Sequence, residues 1–150
     1  MKAGALAAIR YRLAERPTTD ADILVSWHEE LIPVLKANGY EPMRIHKSPP
    51  DNPHLLMVRS PSVGDVDVII ATEEYQEGAI SRGLTEHCLT VEDVLVHKLL
   101  AWRPRDRDDV VSILSAGHDL DIAYIEHWAG QWEVLDNWVD ANRPPREQGR

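Results

Sequence analysis

The run Gly64-Asp65-Val66-Asp67-Val68-Ile69-Ile70-Ala71 constrains the fold most. It is short and rich in β-branched residues, which reads as a strand. Apolar residues on both of its faces mark a strand buried inside a sheet. Asp67 stands in the middle of it, although aspartate is depleted in strands and costly to bury without a partner. A second strand, Asp22-Ile23-Leu24-Val25-Ser26, opens on acids in the same way, with Asp20 and Asp22 at alternate positions after Arg16-Pro17-Thr18-Thr19.

Side chains at i and i+2 of a strand share a face. Asp20 and Asp22 therefore form one pair, and Asp65 and Asp67 another. If the two strands are neighbours, three or four carboxylates converge. Like charges that close oppose one another's ionisation, and a divalent cation removes the conflict. All-oxygen ligation suits Mg²⁺ or Mn²⁺. Two such ions would serve phosphoryl or nucleotidyl displacement. Turn chemistry alone would also place Asp20 and Asp65 where they stand. Asp67 resists that explanation.

Further strands are expected at Glu41–His46 and His54–Ser60, around the turn-rich Lys47–Pro53. Helices are expected over Gly4–Glu15, Trp27–Tyr40 (with Pro33 as a kink) and Glu73–Gly83. From Leu89 onward the pattern is helical: Leu89–Trp102, Arg107–Gly117, Asp121–Gly130 and Gln131–Ala141. A strand-bearing first half followed by helices predicts an α/β (α+β) protein with a small mixed sheet flanked by helices. At 150 residues the chain reads as one domain over 1–142. Its sheet-containing part is 1–88, its helical part 89–142, and 143–150 is a polar tail.

On the helix from Val91, an apolar stripe of Val91, Val94, Leu95, Leu99 and Trp102 includes Lys98 in its middle. Lys98 either snorkels to solvent or reaches from a packed helix toward phosphate or carboxylate. Beyond it, Asp106 and Asp109 have the N-cap and N3 spacing of a following helix. Arg103 and Arg105 add positive charge beside them, of a kind that holds a triphosphate. The seven histidines show no metal-ligand spacing on a shared face. Trp128, Trp132 and Trp138 recur at helical spacing and read as core.

The net charge of -9, from 25 acidic and 16 basic residues, opposes broad electrostatic binding to nucleic acid. One cysteine, Cys88, allows no internal disulfide and fits a reducing cytoplasm. The opening Met1–Pro17 does not read as a secretion signal, and no apolar run reaches the ~18 residues of a membrane span.

In order along the chain, Ala3-Gly4-Ala5-Leu6-Ala7-Ala8, Arg16–Val25, Val66–Ala71 and Leu89–Leu114 resemble the small nucleotidyltransferase-fold proteins related to the AbiEii/AbiGii toxins of abortive-infection and toxin–antitoxin systems. The resemblance spans roughly 3–130. It implies a nucleotidyltransferase α/β fold and Mg²⁺-dependent transfer of a nucleotide from a nucleoside triphosphate to a hydroxyl acceptor, RNA or protein. It implies Asp20, Asp22 and Asp67 as metal-binding and catalytic acids, and Lys98 as a catalytic cation. Asp106 or Asp109 would match a C-terminal polar motif. Gly4, Lys98, Arg103 and Arg105 would bind the nucleotide. Where the family carries Gly-Gly or Gly-Ser, this chain has Ala3-Gly4-Ala5. The alternative is a catalytically degenerate copy that binds a nucleotide or a partner without turnover. An antitoxin is the partner this family implies. With only two residues ahead of Ala3, the sheet is expected to leave an open edge near residues 1–12, covered by a second copy or a partner chain.

Overall fold

The computed structural model describes residues 1–13, 18, 21–49 and 51–143, and everything below concerns those residues. They form two compact units. Met1–Ala7 with Pro17–Thr90 make a sheet unit, and Ala8–Arg16 with Val91–Arg150 make a helical unit. The protein is α+β.

The sheet unit holds β1 (Lys2–Ala3), β2 (Ala21–Val25), β3 (Glu41–Ser48), β4 (Asn52–Ser60) and β5 (Gly64–Ile70). Their order across the sheet is β1-β2-β5-β4-β3. The β2–β5 pair is parallel and the others are antiparallel. Alternation sorts the side chains onto two faces. Val66, Val68 and Ile70 of β5 meet Leu56 and Val58 of β4 on one face, with Leu31 of α2 (Leu31–Ala37) in the same buried cluster. Burying a side chain of this kind contributes about 1.5–3 kcal/mol. The opposite face carries Asp22, Leu24, Asp67 and Ile69.

α2 is shorter than the expected helix from Trp27. Proline is tolerated in a first helical turn but clashes with the carbonyl four residues back in an interior. Starting at Leu31 puts Pro33 in that first turn. Gly39, with φ 83°, closes the segment beyond Asn38.

The edge beside residues 1–3 is not open as expected. Lys2 pairs with Ile23 of β2 on one side. On its other side the Lys2 N–H donates to the His87 carbonyl (3.0 Å) and the Leu89 N–H donates to the Lys2 carbonyl (3.1 Å). Residues 87–89 therefore continue the sheet. The far edge, β3, carries Pro42, Lys47 and two register shifts, devices that discourage further strand addition. α3 (Glu74–Gly83) and a 3₁₀ turn (Leu84–Glu86) complete the unit.

α1 (Gly4–Ala8) starts in the sheet unit and is much shorter than its sequence promises. The Ala8 carbonyl accepts from both the Tyr11 and Arg12 N–H groups, which closes the helix. The chain then delivers Arg12 to Asp109, a tertiary contact that outweighs local propensity.

The helical unit contains α4 (Val91–Ala101), α5 (Pro104–Ser115), α6 (Ile122–Gln131) and α7 (Leu135–Ala141). Val94, Leu95, Leu99, Val110, Ile113, Ile125, Ala129 and Trp138 are buried in it. The Asp121 carboxylate caps α6 by accepting the Tyr124 N–H (2.9 Å). Trp138 is buried as the sequence suggests, and Trp128 and Trp132 are half-buried. No helix of the described residues is long and apolar enough to cross a membrane.

Candidate functional site

Parallel pairing sets the acids side by side. Asp22 of β2 and Asp67 of β5 are direct partners in the register, so their side chains leave the same face of the sheet. Neighbouring strands lie about 4.8 Å apart. Both acids are half-buried. Asp20 lies outside the described residues. Asp65 shares the face of Asp67 but is taken up by Arg59, whose Nη2 donates to Asp65 Oδ2 at 2.8 Å. The Arg59 hydrogen bonds hold the Asp65 carboxyl below the usual carboxylate range. The four-carboxylate version of the site is therefore corrected at Asp65, whose charge is already matched.

Gly4 closes one side of the Asp22 carboxylate. Its φ of 51° lies in the left-handed region, which favours glycine. A β-carbon added there would fall 1.9 Å from Asp22 Oδ2 and 2.7 Å from its Cγ. The backbone at Gly4 thus approaches the carboxylate where no other residue type leaves room. Gly4→Ala should destabilise the protein by about 1–3 kcal/mol, from the left-handed backbone and the displaced acid together. A melting curve checks this, and an unchanged midpoint would mean that neither the left-handed backbone nor the displaced carboxylate costs stability at this position.

Among the described residues, no three His, Cys, Asp or Glu side chains form a group that could hold a metal ion. Mg²⁺ needs fewer. It is commonly held by one or two carboxylates, with waters and substrate phosphates completing the octahedron. The donor chemistry of Asp22 and Asp67, side by side in the register, fits such an ion.

Lys98 belongs to a different arrangement, inside the helical unit. Its side chain is 7% exposed, which rules out snorkelling. Its Nζ donates to Asp106 Oδ1 at 2.9 Å and lies 2.9 Å from Asp109 Oδ2. Arg12 Nη1 donates to Asp109 Oδ1 at 2.8 Å. Arg103 Nε donates to Asp106 Oδ2 at 2.7 Å, although its own side chain is mostly exposed. Two buried carboxylates are thus shared by Lys98, Arg12 and Arg103. Arg105 is exposed one turn-residue away.

Local geometry builds this network. Trp102 takes a left-handed φ of 44° and ends α4. Arg103 is then the N-cap and Pro104 the first residue of α5, so Asp106 sits at N3 and accepts the Arg103 backbone N–H (3.1 Å). Asp106 is not the N-cap that its spacing predicts, and Asp109 lies one turn further in. Pro104 moves the helix start three residues upstream. Asp93, which has capping-box spacing from Thr90 and reads as lying on the polar side of its helix, is buried and accepts the Tyr124 hydroxyl (2.7 Å), and Arg12 has no site role in the sequence. No local pattern announces either contact.

Burial raises the Asp106 pKa, but hydrogen bonds and charge from Arg103 and Lys98 outweigh it and leave the carboxyl below its ordinary value. A depressed folded-state pKa contributes stability that is complete above the unfolded value of about 3.9 and is lost as pH falls through the lower folded value. The parent should therefore lose stability toward acid below about pH 4 more steeply than Asp106→Asn. Denaturant midpoints followed between neutral and acid pH would show it, and parallel acid limbs would count against the network.

The chain matches no known protein family and no curated protein sequence.

Proposed function

We propose that this chain is a metal-dependent nucleotidyltransferase, moving a nucleotide from a nucleoside triphosphate to a hydroxyl acceptor on RNA or protein. The observation that carries this reading is the direct pairing of Asp22 with Asp67 on adjacent parallel strands, with the Gly4 backbone against the Asp22 carboxylate. Glycine, first acid and last acid also follow one another along the chain in the order of the toxin-related nucleotidyltransferases that the sequence resembles.

Asp22 and Asp67 would hold Mg²⁺ or Mn²⁺. Such an ion supplies charge neutralisation and Lewis-acid polarisation at phosphate oxygens. The protein's own part is positional. The strand pair fixes two negative side chains in one row, so their repulsion is already built in when a cation arrives. The Gly4 backbone, which carries no β-carbon, lies against the Asp22 carboxylate and limits where it can turn. In this reading the protein works in the cytoplasm with an antitoxin partner.

The test is incubation with triphosphates labelled at the α- or the γ-phosphate, Mg²⁺ or Mn²⁺, and total RNA or lysate. Transfer of the α-label alone is the expected result. Transfer of the γ-label would make the protein a kinase. Triphosphate binding with no transfer would make it a binding module.

A further inference from the structure

We propose that Arg44 is a substrate-binding residue that grips phosphate oxyanions beside the Asp22–Asp67 pair. The inference rests on the reading above and adds a residue to it. In a regular strand, Arg44 would share the face of Pro42, which pairs with Val58 on the apolar side. The register shifts between them: Pro42 pairs with Val58, whereas Arg44 pairs with Met57. One extra residue, Met43, turns Arg44 over to the other face. Met57 in turn pairs with Asp67, and Asp67 with Asp22. A single row therefore crosses four strands as Asp22, Asp67, Met57 and Arg44. Bulges re-aim side chains in this way and are enriched next to functional sites.

Two inter-strand spacings, about 10 Å, separate Arg44 from Asp67. A guanidinium at that remove does not neutralise the acids, yet it reaches back over Met57 toward a phosphate chain lying along the row. The other Lys and Arg residues of β3 and β4 are occupied, Lys47 by Asp51 (3.0 Å) and Arg59 by Asp65. Arg44 is exposed, and among the described residues it has no ion pair or hydrogen bond. Its planar fork suits phosphate better than a lysine would.

The test titrates four probes into the full chain, as parent, Arg44→Gln and Arg44→Lys. The probes are Mn²⁺ alone, tripolyphosphate with and without Mn²⁺, a non-hydrolysable nucleoside triphosphate with Mn²⁺, and a short RNA oligonucleotide. Arg44→Gln should bind the triphosphate and the Mn²⁺-tripolyphosphate about tenfold more weakly, with Arg44→Lys between. Mn²⁺ alone should bind all three proteins equally. A loss confined to RNA would keep Arg44 as a phosphate ligand and assign it to the acceptor. Equal affinities for every phosphate probe, including no binding by any protein, would overturn the proposal and leave Arg44 as a charge that merely protects the edge. A parent that binds no Mn²⁺ but loses tripolyphosphate on Arg44→Gln would overturn the metal reading and keep this one.

Discussion

Lys98→Met should destabilise the helical unit by about 3–5 kcal/mol, the usual effect of removing one partner from a buried ion pair. That is a fall in Tm of the order of 10 °C for a chain of this size. The methionine stem would fill much of the same space, so the loss is electrostatic. Asp106 and Asp109 are each about 2% exposed and share the one ammonium. Without it, Asp109 loses a cation 2.9 Å away while Arg12 remains, and Asp106 keeps an arginine that lies mostly in water. Helical phase alone leads to the expectation that Lys98→Met costs little stability and much triphosphate binding, because it leaves the partners of Lys98 unnamed. Lys98→Met/Asp106→Asn should destabilise by less than the sum of its parts, since the second change removes a charge that the first strands. A loss below 1 kcal/mol in Lys98→Met would mean that water replaces the ammonium readily.

Asp67→Asn should lower nucleotide transfer at least about a thousandfold, the rate equivalent of losing several kcal/mol of charge stabilisation. The protein without metal should be no less stable for it. Asparagine keeps the shape of the side chain and removes the repulsion between the two acids in the row. The two effects must appear together. Transfer lost along with the fold would say only that Asp67 is structural. Transfer retained in a stable variant would remove Asp67 from the chemistry.

The sheet was legible because its strands are apolar and alternate. β5 and β2 follow the stretches that the β-branched pattern marks, and the acids share a face because period-two geometry is local. Their adjacency is not local. It depends on β5 pairing in parallel with a strand some forty residues earlier, which the sequence reading could pose only as a condition. Contacts that pull a residue out of its local pattern were missed for the same reason. Arg12 leaves a good helical segment to meet Asp109. Pro104 and the left-handed Trp102 shift Asp106 from the N-cap to N3. Residues 87–89 pair with Lys2 and fill an edge that looked vacant. Arg44 changes face through a single inserted residue, and nothing in Pro42-Met43-Arg44 announces the slip.

The central claim is that Asp22 and Asp67 jointly hold a divalent cation, and Mn²⁺ titration followed by electron paramagnetic resonance tests it most directly. The parent should bind Mn²⁺, and Asp22→Asn and Asp67→Asn should each weaken that binding at least about tenfold, since each removes one of the two carboxylate ligands. Equal Mn²⁺ affinity in the parent and both variants would contradict it.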